Sequence, residues 1–125
     1  MNALNMARTA YASAAAPVRT PQSTEYAAFA KITGRLRDAA ALGRPGFNDL
    51  VTALNENRKL WLLLASDVAD SENKLPALLK AQIIYLFEFT TQHSAKILNG
   101  TASVDALVDV NTAIMRGLRL QESQK

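Results

Sequence analysis

Cysteine is absent from the 125 residues. That excludes a disulfide framework, a thiolate metal site and a thiol nucleophile, and it fits the reducing cytoplasm, the expected location. Histidine occurs once, as His93. A Ser-His-Asp triad would have to centre on it, and no nucleophile-elbow glycines accompany it. No His/Asp/Glu cluster has metal-ligand spacing. The acids of "ADSEN" (69–73) lack the pattern of a calcium loop, and "GRPG" (43–46) lacks the length and lysine of a phosphate loop. No catalytic, cofactor-binding or metal-ligating residue is assigned, no cofactor is expected, and the expected class is a non-enzyme.

Long apolar runs are also missing. The longest, "LWLLLA" (60–65), falls far short of the ~20 residues a bilayer span needs, so no membrane insertion is expected. The Ala-rich start lacks the basic opening of a secretory signal, and Arg8 interrupts it, so it reads as mature sequence. Charge of one sign is nowhere concentrated. The formal net charge is +3, and the excess falls before Lys59, where seven basic residues meet four acidic ones. Aromatics make up only 6% and fall mostly on apolar stripes. Scattered cations and few free rings argue against direct nucleic-acid binding.

What remains is helical. Hydrophobic residues reach 49%, enough for the core of one domain. Every clear period is that of a helix, and glycine and proline fall between segments except at Gly117. Residues 1–15 form an Ala-rich helical segment with Leu4, Ala7, Tyr11 and Ala14 on one thin face, marginal without a partner surface. Residues 16–22 read as a linker and 23–122 as a helical bundle. Thr20 is a plausible N-cap, with Pro21 first in the helix. Helices then follow to "LGRPG", from Phe47 to Asp70, from Pro76 to about Asn99 with Gly100 as stop, and onward from a Ser103 cap. The expected fold is all-α: a small antiparallel bundle of four to five helices, the N-terminal one marginal.

Two features need explaining. On a wheel of 100° per residue, Phe47, Leu50, Val51, Leu54, Trp61, Leu64, Ala65 and Val68 form one stripe, yet Arg58 falls in its middle and Asn57 at its edge. Asn111 sits inside the stripe of the last helix, and His93 in line with Leu79, Leu86 and Ile97. Buried polar groups need partners, so one internal network joining Arg58, His93 and Asn111 is expected, or else partly exposed ends. The second feature is surplus apolar surface. Leu60 and Leu63 lie off the main stripe, and "IIYLFEF" (83–89) is apolar almost all round. Either the rest of the chain covers these faces or a partner does, and the candidate partner-binding residues are Leu60, Leu63, Ile84 and Phe87.

"ENRKLW" (56–61), "ENKLP" (72–76) and "LVDVNTAIMRGL" (107–118), with "AYASAA" near the start, together resemble the FlaF family of flagellar biosynthesis regulators. The motif residues are Asn57, Arg58, Leu60, Trp61, Asn73, Leu75, Pro76, Asn111, Gly117 and Leu118. Most read as structural: Trp61 as core, Asn73 as cap or turn fixer, Gly117 as the site of close helix packing. The resemblance implies a cytoplasmic all-helical protein needed for flagellin synthesis and secretion, working with the regulator FlbT. It implies a secretion-chaperone-like protein that binds flagellin, whose terminal amphipathic helices are exposed before export, and that couples its synthesis to its export. The alternative is post-transcriptional regulation through FlbT, or directly on flagellin mRNA, without binding flagellin.

Overall fold

The computed structural model describes residues 21–123, with side chains described from 25 to 117. The expected N-terminal helical segment, most of the linker and the motif residue Leu118's side chain lie outside these limits. Among the described residues there are four α-helices and no strand: α1 (Pro21–Ala41), α2 (Phe47–Ala69), α3 (Ala77–Leu98) and α4 (Asp105–Ser123). A short 3-10 turn, Arg44–Gly46, precedes α2.

Local chemistry sets the ends. Pro21 opens α1, where its missing N–H is no loss. Gly46 packs so closely beneath α1 that a Cβ there would stand 2.5 Å from the Ala39 carbonyl oxygen. Between α2 and α3, Asp70 Oδ1 accepts the Glu72 N–H (2.8 Å) and Asn73 Oδ1 the Leu75 N–H (3.0 Å). Asn73 Nδ2 donates to Asp67 Oδ2 (3.1 Å), and Lys80 Nζ donates to the Asn73 carbonyl. Asn73 therefore fixes this turn. Pro76 stands at the N-cap of α3. At the other end of α3, Gly100 takes φ 77°, the left-handed region that favours glycine. There the Gly100 N–H reaches Ile97 O (3.0 Å) and the Thr101 N–H reaches Lys96 O (2.9 Å), the paired bonds of a Schellman ending. Ser103 Oγ accepts the Asp105 N–H at the start of α4 (3.3 Å).

The helices run up and down. Phe29 meets Trp61 edge to face and Arg35 pairs with Glu56, so α1 and α2 are antiparallel. Packing is extensive between α1 and α4, α1 and α2, and α2 and α3, but light between α3 and α4. Helices α2 and α4 stand diagonally, and their side chains meet across the core. One apolar cluster (Phe29, Trp61, Leu64, Val68, Ile83, Ile114) fills the end where α1 begins. A second (Leu36, Ala53, Leu54, Ile97, Val104, Leu107) fills the end where α2 begins.

Three expectations are corrected. Phe47 and Val51 share the wheel stripe but are exposed (49% and 39%), because at that end of α2 the described helices pack on Ala53 and Leu54 instead. Arg58 is exposed and bonds only one turn back, Nη2 to Asn55 Oδ1 (3.2 Å), so it is no part of a buried network. Gly117 has no packing reason among the described residues, since a Cβ built on it meets nothing within 4 Å.

Candidate functional site

The buried polar groups lie at the centre of the bundle, where the diagonal helices meet. Trp61 Nε1 donates to Asn111 Oδ1 (2.8 Å). Asn111 Nδ2 donates to Asn57 Oδ1 (2.8 Å) and to Thr33 Oγ1 (3.0 Å). All four residues are essentially fully buried. Asn111 thus ties α1, α2 and α4 together with three bonds. Each bond to a buried neutral partner is worth about 1 kcal/mol net, and an orphaned group would cost more. His93, expected in this network, is half-buried elsewhere. Its Nε2–H donates to the Ser103 carbonyl (3.0 Å), and its ring stacks on Phe89. The network is closed to solvent, its members being 0–2% exposed.

The surface presents something different. Val51, Leu54, Asn55 and Arg58 of α2 face Thr91, Ser94, Ala95 and Leu98 of α3 across a groove of ≈ 450 Å³. Its apolar rim is exposed, with Val51 at 39% and Leu98 at 43%. One helical turn beyond Arg58 stands Leu62, 45% exposed. On α3, Ile84 (36% exposed) points within about 20° of Thr91, two turns away along the same face. The groove line therefore runs Val51 and Leu98, then Arg58 and Thr91, then Leu62 and Ile84: apolar, cationic, apolar. A second concavity between α1 and α2 combines the charged Arg35, Asp38, Asp49 and Glu56 with one exposed apolar residue, Leu42.

The four sequence-nominated residues divide. Ile84 lies at the surface on the groove side, and Phe87 is half-buried against the first cluster. Leu60 and Leu63 are half-buried and pack on that same cluster. They leave α2 about 160° and 140° away from Arg58, on the side away from the groove. Leu62, exposed between the half-buried Leu60 and Leu63, has no distinguishing local pattern in the sequence. Of the motif residues, Asn57, Trp61 and Asn111 serve the core, while Leu75 is half-buried at the first cluster. Arg58 alone among these lines the groove.

Among the described residues no group of His, Asp and Glu could hold a metal ion, and no helix is long and apolar enough to cross a membrane. By fold and surface the chain is an all-α bundle with an open groove between two antiparallel helices. The family model for flagellar protein FlaF matches residues 7–118, and the chain belongs to the FlaF family. No curated protein and no solved structure matches it.

Proposed function

We propose that this flagellar protein is a flagellin-binding, secretion-chaperone-like factor that couples flagellin synthesis to export, and that the α2/α3 groove is where it holds its client. The observation that carries this reading is the exposed line Val51, Leu98, Arg58, Leu62 and Ile84. An amphipathic helix laid along two antiparallel helices buries apolar side chains at helical spacing. The ends of an unassembled flagellin are helices of that kind. Arg58 adds selectivity, since its guanidinium favours a client helix that places a carboxylate opposite it.

The test is calorimetric titration with monomeric flagellin, intact and with its terminal helices removed. Binding is expected only for the intact form. Leu62→Asp is expected to weaken it at least about tenfold while helicity is kept. Equal binding of both forms, or a Leu62→Asp variant that binds normally, refutes this site. No binding to either form moves the function to regulation through FlbT.

A further inference from the structure

A second face of α3 is left open. Leu78 and Tyr85 are the most exposed large apolar residues described, at 72% and 67%. They leave α3 within about 20° of one another, and roughly 140° round the helix from its buried line of Ile83, Thr90, Ser94 and Ile97. On the same stripe, Ala81, Gln82, Tyr85 and Leu86 line a shallow concavity of ≈ 400 Å³. Farther along, Phe89 is half-buried against the second apolar cluster and ends the open stretch. The face therefore carries a knob, Leu78, and a hole whose centre lies about 8 Å further along the helix axis.

We propose that two copies of this chain pair through this face, α3 against α3, antiparallel about a two-fold axis beside Ala81. Three observations single out a second copy. First, the fit is reciprocal. In that arrangement Leu78 of each copy enters the other's concavity and meets Tyr85 there, the self-matching that a two-fold interface demands. Second, the residue at the axis is small. Ala81 lets the two helices approach to about 8 Å, the close end of helix packing. Third, the register that seats Leu78 brings exposed Lys74 of one copy level with exposed Glu88 of the other, on both sides of the axis. Unlike charges then flank an apolar centre.

The area sets the strength. From Leu78 to Leu86 the seam is only about 12 Å long. Two such seams fall short of the ~1,200 Å² that stable interfaces bury, so the pair is a reversible one with a Kd of about 10–100 μM. Ile84, on the groove side, leaves α3 about 100° from Tyr85, so pairing keeps the α2/α3 groove open. This inference goes beyond the flagellin reading and does not rest on it.

Sedimentation velocity of the full chain from about 1 μM to about 1 mM spans that Kd. A shift from one copy to two is expected. Leu78→Asp is expected to weaken pairing at least about tenfold with helicity kept, since Leu78 is exposed and its loss empties no core. Cysteine is absent from the chain, so single cysteines read the register. Under mild oxidation Ala81→Cys, beside the axis, is expected to form a disulfide-linked dimer at least about tenfold faster than Glu88→Cys. The two copies of residue 88 would stand about 20 Å apart, and a disulfide needs Cα atoms within ~7 Å. A chain that stays monomeric throughout overturns the proposal. So does a Leu78→Asp variant that pairs normally, and so do equal rates for the two cysteine variants. Should Leu78→Asp fail to fold, the cysteine variants decide alone, because both positions are exposed. No flagellin enters these measurements, so their failure is distinct from failure of the proposed function.

Discussion

On the inner face of α2, Asn57 and Trp61 are fully buried and bonded to Asn111. On the outer face, one residue further along in each case, Arg58 and Leu62 are exposed. The same short stretch thus supplies two regions with opposite logic. Inside, the Asn111 amide is accommodated because both its oxygen and its nitrogen find partners: an indole N–H, a second amide's oxygen and a hydroxyl. Outside, Leu62 remains 45% exposed because no other described helix packs over it. The core region fixes how three helices stand, whereas the groove region has surface left for something else.

The largest expected effect tests the inner region. Trp61→Ala removes the packing against Phe29 and orphans the Asn111 oxygen. A loss of about 4 kcal/mol or more is expected in urea denaturation, close to the whole stability of a small domain. A loss under about 1 kcal/mol would mean that Trp61 is not the keystone of the core.

Next comes Asn111→Ala. It strands the Trp61 N–H, the Asn57 carbonyl oxygen and the Thr33 hydroxyl at once. The expected loss is about 2–4 kcal/mol. Pairing it with Asn57→Ala in a double-mutant cycle sharpens the comparison. Coupling of about 0.5 kcal/mol or more marks a network, and strict additivity would reduce it to unrelated bonds.

Smaller again is Gly100→Ala at the end of α3. The left-handed φ of 77° resists a Cβ, although space is open around it. The expected loss is about 1–2 kcal/mol. Loss on that scale in thermal melts would show that α3 is anchored by its C-terminal ending as well as by α2.

The smallest effect on stability belongs to the outer region. Arg58→Glu is expected to change stability by less than about 0.5 kcal/mol, because its guanidinium bonds only to exposed Asn55. Under the proposed function it weakens client binding, and the weakening is reversed in a client whose facing carboxylate is changed to lysine. Unfolding by Arg58→Glu would erase the distinction between the two faces of α2.

Much of the fold was legible in the sequence. Helical periodicity and the punctuation at Pro21, "LGRPG", Asn73 and Gly100 place all four described helices with ends within a residue or two. These features are local: a period, a cap and a left-handed glycine are written in consecutive residues. The polar network is legible only in part: Asn111 stands on an apolar stripe and Trp61 reads as core, but Arg58 and His93 were expected in the network where Asn57 and Thr33 stand. A helical wheel gives the angle of a side chain and says nothing of where the neighbouring helices stand. Arg58 projects into the gap between α2 and α3, and Asn57 toward the axis of the bundle. Leu60 and Leu63 fared likewise. Their surplus hydrophobicity was visible, and only packing shows that they lean on the first cluster while Leu62 remains outside.

By itself the sequence determined an all-α chain without cysteine, the order and extents of its four described helices, and the motifs that mark the FlaF family. Tertiary structure alone decided which polar residues meet: Asn111 binds Thr33 and Asn57, which lie 78 and 54 positions away. It also decided which face of each helix stays uncovered. The physical reason is the same in both cases. Burial and hydrogen bonding across a core depend on the distances between helix axes, and those are set jointly by every residue in the interfaces rather than by any one stretch of chain.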